Sequence, residues 1–322
     1  MKNILRNKKI FIAGHNGMVG KALKSFFLKK DIKNIITVEK KYLNLKDEKA
    51  VDKFIKKKTP DIIINCAGKV GGILANSTYP VEFLQDNIDI QINLIKLAYN
   101  NKVKHVINLG SSCIYPKNSK QPIKEKYLLS SELEKTNEAY ALAKIVGLKA
   151  CQFYNKQYKT NFFTLMPCNL YGPNDNFHST NSHFIPALIK KFVFANKKKQ
   201  SKVEIWGSGR PKREIMHVDD LSSAIFFILK KKVSKDKKFL NFLKKNSVIN
   251  VGSGIELTIK QFAKKISSIL NNKSRLFFNK KLPDGTKRKI LDNSIMKKLG
   301  WKPNISLDEG LKETIQWFQK NN

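Results

Sequence analysis

A chain of 322 residues, 41% of them hydrophobic, can bury one large core or a core with a smaller lobe. Its formal net charge of +37 would suit a polyanionic partner, but arginine stands only at positions 6, 210, 213, 275 and 288 and the lysines are spread over every predicted helix. A solvated lysine surface is therefore expected and no specific nucleic-acid site. No apolar run reaches the roughly 18 residues of a membrane span, and Cys66, Cys113, Cys151 and Cys168 show neither disulfide nor metal-ligand spacing. With no signal-type segment before the first strand, the expectation is a cytoplasmic protein with reduced thiols, no membrane contact and no metal.

Lys9 to Ala13 is a short apolar run ending at Gly14-His15-Asn16-Gly17-Met18-Val19-Gly20, after which Ala22, Leu23, Phe26, Phe27 and Leu28 recur at helical spacing. Strand, glycine turn and helix in that order suit a dinucleotide pyrophosphate. Glycines let the backbone approach the phosphates, whose charge sits on the helix N-terminus. A second strand, Asn34 to Val38, ends at Glu39-Lys40-Lys41. An acid there favours NAD and a base NADP, and this stretch offers both. A helix over 47–57 precedes a third strand over 61–67, in which Cys66 reads as a small core residue. Gly68 to Ile73 reads as a mobile loop, and the helix over 80–100 places Asn87 where it can face a cofactor. Strand Val103 to Leu109 delivers Gly110-Ser111-Ser112-Cys113 to the carboxyl end of the sheet, where open α/β sheets place their chemistry.

Tyr140 and Lys144 lie four apart in a helical segment, so both occupy one face, one turn apart. A phenol titrates near pH 10, and a neighbouring ammonium lowers the cost of the phenolate. Preceded by the glycine turn and the Ser111 strand end, the pair completes the parts of a short-chain dehydrogenase/reductase site. A fifth strand, Phe162 to Met166, and an irregular segment, Pro167 to Asn181, follow. The alternation predicts an α/β fold, a doubly wound parallel sheet of Rossmann type over residues 1–170. Residues 171–322 read as a smaller, mainly substrate-binding lobe, with some segments returning to the sheet. That part comprises a helix over 183–198, a strand over 203–206, a polar turn over 207–213, a helix over 219–231, a lysine-rich insertion over 230–245, and a strand over 248–251. Capping-box patterns at Thr258/Gln261 and Ser306/Glu309 open two further helices.

The segments Ile12-Ala13-Gly14-His15, Lys69-Val70-Gly71-Gly72-Ile73, Gly110-Ser111-Ser112-Cys113-Ile114-Tyr115-Pro116-Lys117, Asn169-Leu170-Tyr171-Gly172-Pro173, Asn176-Phe177-His178, Trp206-Gly207-Ser208-Gly209 and His217-Val218-Asp219-Asp220 are similar to those of the GDP-L-fucose synthases. These are extended short-chain dehydrogenases/reductases, and the similarity runs through nearly the whole chain. It implies an NADPH-dependent homodimer that epimerises C3 and C5 of GDP-4-keto-6-deoxy-D-mannose and then reduces the C4 ketone. By resemblance, Ser111, Tyr140 and Lys144 match the reductase triad, and Cys113 and His183 the epimerisation base and acid. Gly14, Gly17, Met18, Val19, Gly20, Lys40, Leu109, Gly110, Pro167, Cys168, Asn169 and Leu170 match cofactor contacts, together with Ser111, Lys144 and His183. Lys191, Trp206, Arg213 and Asp284 match contacts to the GDP-sugar. Asn16 stands where that pattern has an arginine, which leaves NADPH and NADH both open.

The same chemistry follows from the residue types. Removing a proton next to a ketone requires donors for the developing enolate oxygen, and the Ser111 hydroxyl and Tyr140 phenol are such donors. Inverting a carbon requires a base on one face and an acid on the other. Two rivals stay open: another nucleotide-sugar epimerase or dehydratase, and a binding protein without turnover. A dehydratase would want an acid beside the reactive serine, where Ser112-Cys113 supplies none.

Overall fold

The structure, a computed structural model, describes residues 4–179, 181–237, 239–240, 248–282 and 284–322. Six parallel strands run in the order β2-β1-β3-β4-β5-β9. They are β1 (Ile10–Ala13), β2 (Ile35–Ile36), β3 (Ile62–Asn65), β4 (His105–Leu109), β5 (Phe162–Pro167) and β9 (Val248–Val251). Parallel strands covered on both faces read as continuous apolar runs, yet their side chains still alternate. Ile10, Ile12, Ile62, Ile64 and Ile107 pack on one side with Leu23 and Phe27 of α1 (Met18–Lys29) and Leu221, Ile225 and Ile228 of α7 (Val218–Val233). Phe11, Ile63 and Val106 pack on the other with Val51 and Ile55 of α2 (Glu48–Lys58), Leu94 and Ala98 of α4 (Pro80–Asn100) and Cys151 of α5 (Glu138–Tyr158). β9 pairs with β5 from Thr164↔Val248 to Pro167↔Val251, so the chain returns to this sheet after residue 171.

Buried amides tie the sheet to α4 and α5. Asn65 Nδ2 donates to Asn108 Oδ1 at 2.9 Å, and Asn108 Nδ2 donates to Gln91 Oε1 at 3.1 Å. Gln91 Nε2 in turn donates to the Ala143 carbonyl of α5 at 3.1 Å. All three amide side chains are buried and each is satisfied, which fixes the position of α5 over the sheet.

A second core lies beside this layer. Ile189 and Phe192 of α6 (Phe184–Lys197), Phe262 and Ile266 of α8 (Ile259–Ile269), and Leu311, Ile315 and Phe318 of α10 (Leu307–Asn321), which follows the short α9 (Ser294–Leu299), pack on Val203 and Ile205 of β7 (Lys202–Trp206). Both capping boxes form as their spacing predicts. β8 (Lys212–His217) pairs with β6 (Asn169–Tyr171), β10 (Glu256–Thr258) and β12 (Arg288–Lys289). β7 pairs with β11 (Arg275–Asn279).

Several segments differ from the sequence expectation. Residues 169–171 form β6 within the stretch read as irregular, and β8 begins at Lys212 inside the predicted polar turn. β8 is legible only in three dimensions, because its buried Glu214 accepts the Gly254 and Leu291 amides at 2.7 and 2.8 Å. β11 was not expected, and α3 (Ile73–Thr78) starts at the end of the predicted loop. Lys230 to Val233, placed in the insertion, are the last turn of α7. Lys232 is buried there, donating to the Asn161 carbonyl with its ammonium 4.1 Å from the Phe163 ring centroid. Positions 238 and 241–245 of that stretch lie outside the described residues.

The β1–α1 turn is tight enough to test. Gly14 has φ +79°, and a Cβ on Gly20 would lie 2.3 Å from the Gly14 carbonyl oxygen, whereas one on Gly17 would meet only that oxygen at 3.5 Å. Gly20→Ala is expected to lower the unfolding free energy by about 2 kcal/mol or more, and Gly17→Ala by about 1 kcal/mol or less. Urea denaturation checks the pair; equal losses would mean that the turn is not held by this contact.

Candidate active site

The carboxyl end of β4 brings together residues from three segments. Ser111 precedes a single 3-10 turn over Ser112–Ile114, and its Oγ accepts the Cys113 amide at 3.2 Å. That bond holds Ser111 and Cys113 side by side. From α5, Tyr140 brings its phenol beside the Ser111 hydroxyl. Burial pushes the phenol well above its ordinary range, the nearby Cys113 sulfur adds to this, and the Ser111 hydroxyl opposes both. Tyr140 is therefore a proton-bearing donor at neutral pH.

Lys144 lies one turn further along α5, with its ammonium 5.7 Å from the Tyr140 ring centroid. It is buried and donates to the Leu109 carbonyl at 3.0 Å. Burial lowers it to about 8, with the Cys66 thiol acting in the opposite direction. Gly68 makes room for Asn87, since a Cβ there would sit 2.6 Å from Asn87 Oδ1, while it would meet the lysine Nζ at an ordinary 3.5 Å. Asn87 itself is a structural clamp. It accepts the Lys69 amide at 3.1 Å and donates to the Lys69 and Phe83 carbonyls at 3.0 and 2.7 Å.

His183 is the residue before α6, and burial lowers its imidazole, with the Lys289 charge acting the same way. The Cys113 sulfur accepts from Asn137 Nδ2 and from Lys289 Nζ, each at 3.5 Å. Neither donor was found from the sequence. Lys289 sits in β12, one lysine among many, and only the pairing Lys289↔Arg213 brings it to the site. It brings an ammonium into direct contact with the sulfur.

A dinucleotide fits the turn after β1. α1 has no acidic residue in its first turn and no side-chain cap, so the amides of Met18 and Val19 are left to an anion, and Gly17 offers no Cβ to obstruct it. Beyond β2, Glu39 pairs with Lys41 at 3.2 Å, and Lys40 is exposed beside them. Gly110 donates to the Leu165 carbonyl at 2.9 Å, and Cys168 to the Val251 carbonyl at 3.0 Å. These bonds bring Leu109, Gly110 and the Pro167-to-Leu170 backbone to neighbouring strand ends.

The remaining predicted residues form a band on the second lobe. Lys191 Nζ lies 5.4 Å from the Trp206 ring centroid and donates to the Glu204 carbonyl at 2.9 Å. Burial lowers it, the Glu204 charge opposing. A cleft of about 570 Å³ opens beside it, lined also by His178, Lys190 and Lys202. Asp284 accepts the Ser208 amide and hydroxyl at 2.6 and 2.7 Å. Arg213 donates to the Thr286 carbonyl at 2.5 Å; burial lowers its guanidinium, and Cys113, Asp284 and Glu134 oppose this.

The arrangement places proton donors at one oxygen site, an anchored sulfur beside them, and cations along a neighbouring cleft. Residues 10–252 match the NAD dependent epimerase/dehydratase family. The chain is 43% identical over 317 residues to a GDP-L-fucose synthase of Escherichia coli (strain K12), covering 98% of each. It is 41% identical over 317 residues to a GDP-L-colitose synthase of Yersinia pseudotuberculosis, covering 98% of this chain and 99% of that one. Among solved structures it resembles a GDP-mannoheptose C4 reductase of Campylobacter jejuni with NADP bound, at TM-score 0.88 and 35% identity, covering 98% of this chain and 99% of that one.

The buried Lys144 gives a pH signature. Because its folded value is lowered to about 8, the unfolded chain binds more protons from there to about pH 10.4, and this side chain's contribution to stability rises with pH across that window. The unfolding free energy of the wild type relative to Lys144→Met is expected to increase between about pH 8 and 10. Denaturant titrations at the two pH values check it, and a flat difference would show that the ammonium is not desolvated.

Proposed function

The chain belongs to the NAD dependent epimerase/dehydratase family, and we propose that it converts GDP-4-keto-6-deoxy-D-mannose to GDP-L-fucose with NADPH, by 3,5-epimerisation followed by reduction of the C4 ketone. The observation that carries this is the convergence of Ser111, Tyr140 and Lys144 with the anchored sulfur of Cys113. A simple reductase needs no such sulfur.

Residues 1–170 act as the cofactor-binding unit, completed by α7 and β9, and the rest of 171–322 as the substrate lobe. NADPH, when bound, supplies the hydride for C4. Gly14, Gly17 and Gly20, with the first amides of α1, hold its pyrophosphate. The Glu39–Lys41 pair offsets the acid, leaving Lys40 as the positive charge for a 2′-phosphate. Leu109, Gly110, Ser111, Lys144, the backbone from Pro167 to Leu170, and His183 would hold its nicotinamide end.

The chain's own residues do the rest. Lys191 and Arg213 meet the diphosphate, Trp206 offers a face to the nucleoside, and Asp284 accepts a sugar or ribose hydroxyl. Ser111 and Tyr140 donate hydrogen bonds to the C4 oxygen, which carries negative charge in the enolate of each epimerisation and again during reduction. Lys144 compensates for that charge from behind. Cys113 removes the proton from the carbon beside the ketone, and His183 delivers one to the opposite face.

Exposed Leu142, Val146 and Phe153 recur along α5, an apolar stripe that a second copy would cover in a homodimer. Four free cysteines suit a reducing compartment such as the cytoplasm, and among the described residues no helix is long and apolar enough to cross a membrane.

Tyr140→Phe removes the donor while keeping the ring, and reduction is expected to fall by about 10² or more with NADPH binding retained. Near-normal turnover would remove the phenol from the chemistry. Cys113→Ser is expected to abolish solvent deuterium incorporation at C3 and C5, read by mass spectrometry of the product. Exchange at the normal rate in that variant would mean that another residue is the base. The kcat/KM ratio for NADPH over NADH is expected to exceed one and to fall in Lys40→Ala.

A further inference from the structure

We propose that Lys289 is a positioning residue for epimerisation: its ammonium holds the Cys113 sulfur in the anionic form and lets that sulfur shed its proton between the two inversions. This rests on the reading of Cys113 as the base. Lys289 reaches the sulfur from β12, a strand distant in sequence and held in register by the pairs Arg288↔Lys212 and Lys289↔Arg213. Its Nζ stands 3.5 Å from Sγ, and the second contact, Asn137 Nδ2 at 3.5 Å, is also a donor. A sulfur between two donors is an acceptor, and a thiolate accepts more strongly than a thiol.

Other charged and titratable groups surround the sulfur. From α5 the Tyr140 phenol faces the sulfur, and from β8 the Arg213 guanidinium adds a second positive charge. Behind the sulfur lies a small cavity of about 20 Å³, lined by Lys117, Glu134, Asn137, Thr286, Arg288 and Lys289. The carboxylate there is committed elsewhere, since Glu134 pairs with Lys117 at 3.3 Å. Arg288 is bound to Glu256 at 2.7 and 2.9 Å. Lys289 is thus the cation in direct contact with sulfur.

Proton balance supplies the need for such a group. Each inversion breaks one C–H bond, sending the proton to the sulfur, and makes one on the opposite face with a proton from His183. After the first inversion the pair is a thiol and a neutral imidazole, and the second requires a thiolate and an imidazolium. One proton must leave the sulfur for water and one must reach the imidazole from water, with no net change. The cavity behind Cys113 has room for one water molecule to accept that proton. An ammonium at hydrogen-bond distance stabilises the thiolate so formed. The same charge disfavours the imidazolium of His183, which promotes its proton transfer to carbon.

The test uses the full chain with Lys289→Met and Lys289→Arg, and two readouts. Iodoacetamide alkylation of Cys113 at neutral pH, followed by peptide mass spectrometry, reads the thiolate without turnover. The other thiols are poor competitors, because burial pushes Cys66 and Cys151 up to about 12 and Cys168 well above its ordinary value. Lys289→Met is expected to slow Cys113 alkylation by about tenfold and Lys289→Arg by less than about twofold. In deuterated water, Lys289→Met is expected to release sugar carrying one deuterium in place of two, and Lys289→Arg to restore the second. Unchanged alkylation in Lys289→Met overturns the proposal, as does an equal loss in Lys289→Arg, which would show that shape matters and charge does not. Full double exchange by Lys289→Met also overturns it. Normal exchange by Cys113→Ser fails differently, since it rejects Cys113 as the base while the alkylation rates still report whether Lys289 acts on the sulfur.

Discussion

An ammonium held out of water at the carboxyl end of the sheet is the constraint on which the site depends. Lys144 is buried against the Leu109 carbonyl, and burying a charge with a single neutral partner is unfavourable. Its place has to be enforced by everything around it. The amide chain Asn65, Asn108, Gln91 to the Ala143 carbonyl sets the height of α5 over the sheet. Gly147 lets α5 come that close, since a Cβ there would lie 2.2 Å from Gln91 Oε1. The same placement delivers Tyr140 to Ser111. The local cost of the charge and the geometry of the phenol are two results of one packing decision.

The second lobe brings its own residues to that point through β8. Pairing with β6, β10 and β12 makes this strand the joint between the lobe and the sheet. Buried Glu214 fixes two of the incoming loops by accepting their backbone amides. Asp220, in the first turn of α7, does the same for the approach to α10, accepting the Asn304 and Ile305 amides at 2.8 and 3.2 Å. These acids were visible in the sequence without their purpose being visible. Their work is to satisfy backbone donors at crossing points, which leaves the cations Arg213 and Lys289 free to face the sulfur.

The lysine-rich composition conceals function as well as supplying solubility. Most of the 62 Lys and Arg residues belong to a solvated surface. Lys144, Lys191 and Lys289 do not: one is buried against a carbonyl, one lies over an indole, one touches a thiol. Lys232, buried under Phe163, is a fourth that carries structure alone. A residue type this abundant carries little information at any single position, so neighbours must identify the working ones.

What the sequence by itself determined was whatever short-range spacing encodes. The alternation of apolar runs and helical patterns specified β1 through β5 and their crossovers, because each strand and helix carries its own period. The glycine turn, the Ser111-to-Cys113 strand end and the Tyr140/Lys144 pair were legible because their chemistry depends on fixed local offsets. The capping boxes at Thr258 and Ser306 were legible for the same reason. Tertiary structure alone decided which strand closes the sheet, that Lys212 through His217 form a strand buried from Glu214 onward, and that Asn87 clamps the loop at Lys69. It alone placed Lys289 on Cys113 across 176 positions of sequence. Contacts between distant segments follow from strand register and from which donors each buried acceptor can reach, and neither leaves a periodic trace in the chain.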